Sequence, residues 1–72
     1  MSEGEFSVVE FYDDDYYAYV ERWLDGESAV RLAKRRSDMA TAKVAKIIIT
    51  DGGDYTVFQW ERGKGVTFPE RQ

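Results

Sequence analysis

Apolar and polar positions follow two different periods along this chain, and the changes of period mark its elements. From Phe6 to Tyr12 β-branched and aromatic residues dominate, which suits a pleated strand. Asp13-Asp14-Asp15 interrupts the run with three turn-favouring carboxylates. Tyr16 to Leu24 resumes in extended form, with Tyr16, Ala18, Val20 and Leu24 on one face and Tyr17, Tyr19 and Trp23 on the other. Both faces are substantially apolar, so the period-2 pattern does not choose the buried one. The two segments predict a hairpin.

The period then lengthens. Asp25 is placed to cap a helix, and Glu27 complements the positive end of its dipole. Successive residues advance about 100° around a helix. On that projection Ala29, Val30, Leu32, Ala33 and Met39 share one side, and Arg31, Lys34, Arg35 and Asp38 the other. Arg36 intrudes near the apolar stripe. No glycine stops the helix, and residues 39–45 fit helix or strand equally.

Lys43 to Thr50 turns extended, with Ile47, Ile48 and Ile49 predicting a strand buried on both faces. Asp51-Gly52-Gly53-Asp54 predicts a tight hairpin turn, its glycines free to take positive φ. Tyr55 to Glu61 reads as the returning strand, with Thr56, Phe58 and Trp60 on one face and Tyr55 and Val57 on the other. Arg62-Gly63-Lys64-Gly65 is a second turn, Val66-Thr67-Phe68 a short edge segment, and Pro69 its end. Residues 1–72 are expected to form a single domain, with polar ends at Met1–Gly4 and Glu70–Gln72. The fold class expected is α+β, ββαββ, a four-stranded antiparallel sheet with one helix packed on one face. The second face then leaves Tyr17, Tyr19, Trp23, Tyr55 and Val57 partly exposed, the mark of an interface.

Composition narrows the chemistry. Among 72 residues there is no histidine and no cysteine, which removes the commonest general base, the thiolate nucleophile and nearly all transition-metal ligation. The consecutive aspartates lack the alternating ligand spacing of a calcium loop, so no metal is expected. Arg62-Gly63-Lys64-Gly65 lacks the pattern of a phosphate loop. A Glu10–Glu21 carboxylate pair would need a water-excluding cleft that one helix on a sheet hardly supplies. The expectation is a non-enzyme without cofactors. The acidic start and the short aliphatic run Ile47–Ile49 predict neither a signal peptide nor a membrane span, hence a cytoplasmic protein.

Charge divides the chain. Residues 1–27 carry nine acids against one base, residues 28–46 six bases against one acid, within a total of −4. Such asymmetry predicts either two electrostatic faces or opposite charges settled near one another. Three binding readings follow. In the first, Asp13, Asp14, Asp15 and Glu10 with Tyr12, Tyr16 and Tyr17 occupy a basic surface on a partner protein, carboxylates standing in for phosphates. In the second, Arg31, Lys34, Arg35, Arg36, Lys43 and Lys46 contact nucleic-acid phosphates while sheet aromatics stack on bases, against the repulsion of the acidic first third. In the third, the exposed aromatics form a homodimer.

Ile48-Ile49-Thr50-Asp51-Gly52-Gly53-Asp54, Phe58-Gln59-Trp60 and Gly65-Val66-Thr67-Phe68-Pro69 resemble the tail of a group of short, uncharacterised bacterial proteins, over about a third of the chain. The resemblance implies no activity, and the matching residues are structural in kind: a turn, core aromatics and a closing edge. The Tyr-Asp hairpin lies outside it. As a class, small acidic cysteine-free α+β domains are also similar to phage-encoded inhibitors, anti-CRISPR proteins among them, which implies occupation of a basic, nucleic-acid-handling surface.

Overall fold

The computed structural model describes residues 4–68. Pro69, the expected end of the last strand, lies outside them, as do residues 1–3 and 70–72. Five strands and one helix follow in the order β1 (Phe6–Tyr12), β2 (Tyr17–Leu24), α1 (Gly26–Asp38), β3 (Val44–Thr50), β4 (Thr56–Glu61) and β5 (Gly65–Phe68). All pairings are antiparallel and the sheet order is β2-β1-β3-β4-β5. The α+β architecture is as expected, but the sheet has five strands where four were expected. Gly65–Phe68 pairs with β4, with Glu61 opposite Gly65, Trp60 opposite Val66 and Gln59 opposite Phe68 and a register slip at Thr67, so the edge segment is a strand in its own right.

Helix α1 begins where its cap chemistry places it. Asp25 is extended at φ −74° and ψ 168°, and its carboxylate accepts from the Ser28 amide at 2.7 Å. The helix stops at Asp38, capped by Met39, and the chain turns through residues 40–43 before β3. Met39, expected on the apolar side, is 67% exposed; it is the C-cap, at φ −101° and ψ 4°, and so falls outside the helical periodicity that placed it there. Ala29 and Ala33 are fully buried, and their small side chains let α1 sit close over β1 and β3. Val8, Ile47, Ile49 and Phe58 complete this core from the sheet side. Burying each Ile side chain contributes about 2 kcal/mol. β3 is the central strand, and Ile47, Ile48 and Ile49 are all buried, as its continuous aliphatic run predicts.

The turns depart from the expected chemistry. In Asp51–Asp54 the positive φ falls on Asp54, at 67°, and on neither glycine. The Asp51 carboxylate instead organises the loop, accepting from the amides of Gly53 at 2.9 Å and Tyr55 at 3.0 Å. The β3–β4 register slips between Ile49/Phe58 and Thr50/Thr56, so Val57 is an extra residue in β4 and the expected alternation of Tyr55 and Val57 does not hold. Two similar slips in β2 place Glu21 opposite Val8 and Leu24 opposite Phe6, with Trp23 at φ 64°. At the start of β1, a Cβ on Gly4 would collide with the backbone of Leu24 and Asp25, so only glycine fits there. Among the described residues no helix is long and apolar enough to cross a membrane.

Candidate interaction surface

The helix covers one face of the sheet, and the opposite face carries a continuous row of aromatic rings. Strand alternation puts Val9, Phe11, Tyr17, Tyr19, Lys46 and Ile48 on that open face, since their neighbours Val8, Val20, Ile47 and Ile49 pack toward α1. Phe11 and Tyr17 stand opposite each other on β1 and β2 with ring centroids 5.5 Å apart, and Tyr17 meets Tyr19 edge-on at 6.3 Å. Both spacings lie in the favourable range for aromatic pairs. A cation closes each end of the row. The Lys46 ammonium lies 4.8 Å from the Phe11 centroid, and the Arg22 guanidinium 4.7 Å from that of Tyr19 and 5.6 Å from that of Trp23. Tyr17 is 59% exposed and Trp23 74%, so the rings present their surface to solvent.

The acidic turn adjoins the Phe11–Tyr17 end of this row, and its three carboxylates have separate fates. Asp13 is tied down: its carboxylate accepts two hydrogen bonds from the Arg62 guanidinium at 2.9 and 3.0 Å. Arg62 also donates to the Ala42 carbonyl, and its amide to that of Ala45, so one arginine joins the β1–β2 turn to the loop before β3. This pairing holds the Asp13 carboxyl below its usual pKa and raises that of Arg62. Asp14 accepts from the Tyr16 amide at 3.3 Å, and Asp15 takes the left-handed conformation at φ 71° that closes the turn. Asp14, Asp15 and Tyr16 remain exposed.

Glu10 was expected among the contact residues and is instead in the interior. It is 2% exposed, on the helix side of β1, where its carboxylate accepts from Arg36 Nε at 2.6 Å, from Arg36 Nη2 at 3.2 Å and from the Tyr12 hydroxyl at 2.9 Å. The Arg36 hydrogen bonds outweigh burial and lower the Glu10 pKa; the bond to Glu10 raises that of Tyr12. Tyr12 is thereby committed to the inner layer and packs against the core. Glu21 lines a separate depression with Leu24, Arg31 and Arg35, while the Glu10 carboxylate is taken up by Arg36 and Tyr12. Among the described residues no cluster of three acids is placed to hold a metal ion.

The basic residues distribute over the other layer. Arg31 pairs with Glu27 one turn away at 3.7 Å, Lys34 and Arg35 are exposed on α1, and Lys43 borders a small depression with Tyr12, Asp13 and Asp14. The helix and the ring row occupy opposite faces of the sheet, so basic helix and stacking aromatics do not make one surface. Some opposite charges have settled beside one another, in the pairs Glu10–Arg36, Asp13–Arg62 and Glu61–Lys64, while Lys34, Arg35 and Lys43 enter no ion pair among the described residues.

Arg22 and Arg62 were not singled out as contact residues from sequence; Arg36 and Lys46 were expected to meet phosphates, and the structure instead pairs Arg36 with Glu10 and sets Lys46 over the Phe11 ring. Arg36 carried a signal, a charge beside the apolar stripe; Arg62 is 49 residues from its partner Asp13 and carried none. The chain matches no protein-family model, no curated protein and no solved structure.

Proposed function

We propose that the protein is a non-enzymatic interaction domain that docks on a partner protein through the ring row Phe11–Tyr17–Tyr19, extended by Trp23 and by the exposed end of the acidic turn. The exposed, edge-to-face row carries this reading. Rigid aromatic side chains supply contact area at low entropic cost, and they are the residue type that dominates binding hot spots. Asp14, Asp15 and Tyr16 at one end favour a partner with a basic rim, such as the surface of a nucleic-acid-handling protein. The inhibitor role belongs to this reading: the domain blocks that surface by occupying it.

The test is affinity capture from the source cell with a tagged chain, compared with Tyr17→Ala/Tyr19→Ala and with Asp14→Asn/Asp15→Asn. The tyrosine variant is expected to lose the captured protein, and the asparagine variant to capture less of it at low salt and to depend less on salt than the wild type. Equal capture by wild type and the tyrosine variant would sink the reading. A second reading is favoured by Arg22 and Lys46, which place two cations on the same face as the rings: bases stacking on the row with phosphates at its ends. It requires retention on single-stranded polyanion that falls steeply with salt and is lost with Arg22→Gln/Lys46→Gln.

A further inference from the structure

We propose a second docking site on the helix side of the sheet, a groove between α1 and the β4–β5 ribbon that accepts an acidic amphipathic helix of a partner protein. α1 packs over β1 and β3 and leaves β4 and β5 without a covering layer. Two strands at their ordinary spacing make a strip about 10 Å wide, the diameter of one helix. The floor of the groove is apolar, formed by Phe6, Val30, Ile49, Val57, Phe58 and Val66 around a volume of about 640 Å³. Val57 and Val66, at 37% and 39% exposure, are its unpaid apolar surface. The register slip that makes Val57 the extra residue of β4 is what brings it into the groove beside Phe58.

Charge selects the occupant. Lys34 is the one charged residue lining the groove, and among the described residues no carboxylate lies within 4.0 Å of it. The same helix rim continues along a shallower depression lined by Gly26, Glu27, Val30, Arg31 and Lys34, where Arg31 is paired with Glu27 and Lys34 supplies the unpaired positive charge. An apolar floor with a cationic rim is complementary to a helix whose apolar stripe is flanked by Glu or Asp. The groove is open to solvent along its side, whereas sites for small ligands enclose most of the ligand surface, so a helix fits it better than a small amphiphile.

The experiment uses two synthetic peptides of about 18 residues, long enough for helix formation in water. Both carry the same Leu/Ala stripe, one flanked by Glu and the other by Lys, and binding is followed by methyl NMR of the full chain. The Glu peptide is expected to shift the Val30, Val57 and Val66 methyls and to bind about fivefold better than the Lys peptide, the upper range for an exposed charge pair. Lys34→Glu is expected to reverse that preference, and Val66→Asp, at an exposed position, to abolish binding with the fold retained by circular dichroism. The site does not depend on the ring row, so Tyr17→Ala/Tyr19→Ala is expected to bind the peptide unchanged. Absence of millimolar-range binding, shifts confined to the open face, or equal binding of both peptides would overturn the proposal. So would groove shifts with dodecanoate alone and none with either peptide, which would assign the groove to a small amphiphile.

Discussion

The carboxylate of Glu10, in the middle of β1, is held by the guanidinium of Arg36 from the last turn of α1, with the shorter bond 2.6 Å long. Each residue is an anomaly in its own element: an acid on the buried face of a strand, and an arginine beside the apolar stripe of a helix. Together they explain one another. The pair also fixes how α1 sits over the sheet, because Glu10 is 3% exposed in its side chain and needs a partner at that point.

Removing Arg36 leaves Glu10 buried without a counter-ion. Arg36→Ala is therefore expected to cost about 3 kcal/mol in urea unfolding. Glu10→Leu/Arg36→Met, which removes both charges, is expected to recover most of that loss. A double variant as unstable as the single one would show that the pair does not act as a unit.

Acid sensitivity follows from the same pair. The Glu10 pKa is lowered from 4.5, so the folded chain releases this proton more readily than the unfolded chain does. Its stabilising contribution is present above the unfolded pKa and is lost as pH falls through the folded one. Asp13, Asp25 and Glu61 are lowered as well, by Arg62, by Ser28 and by Gln59 respectively, and add in the same direction. Thermal melts from pH 6 down to about pH 2 should show a fall that is shallower for Glu10→Gln than for the parent chain.

Trp23 holds a left-handed backbone at φ 64° while 74% exposed, a conformation unfavourable for a bulky side chain. Trp23→Gly is expected to raise stability by about 0.5 kcal/mol, since relief of the backbone exceeds the entropy that glycine brings. The same variant is expected to weaken partner capture, because Trp23 ends the ring row. Stability and binding moving in opposite directions would be the signature of a residue kept for contact.

The helix cap has a simpler consequence. Asp25→Ala removes the acceptor for the Ser28 amide and is expected to lower the denaturant midpoint, with Asp25→Asn or Asp25→Ser close to neutral.

Asp13→Asn separates latch from contact. It weakens the solvent-screened Asp13–Arg62 pair, so global stability should barely change. Amide exchange in the β1–β2 turn and at Ala42–Ala45 is expected to quicken instead. If partner binding falls while exchange stays unchanged, Asp13 itself reaches the partner.

Local pattern determined a good part of this protein. The strand at Phe6–Tyr12, the Asp25 cap, the buried Ile47–Ile49 strand and the turn at 51–54 were all legible, because each depends on neighbours a few residues apart. So was the presence of exposed tyrosines, because a single helix cannot cover both faces of a sheet. Tertiary structure decided the rest. It put Glu10 inside and chose Arg36 to meet it, 26 residues away. It tied Asp13 to Arg62, leaving Asp14 and Asp15 as the free acids of the turn. Register slips in β2 and β4 sent Trp23 and Val57 where strict alternation would not. It also laid the basic helix and the ring row on opposite sides of the sheet, and left β4 and β5 uncovered on the helix side. Pairing partners and strand register are relations between distant segments, set when the whole core closes, and no local run of residues carries them.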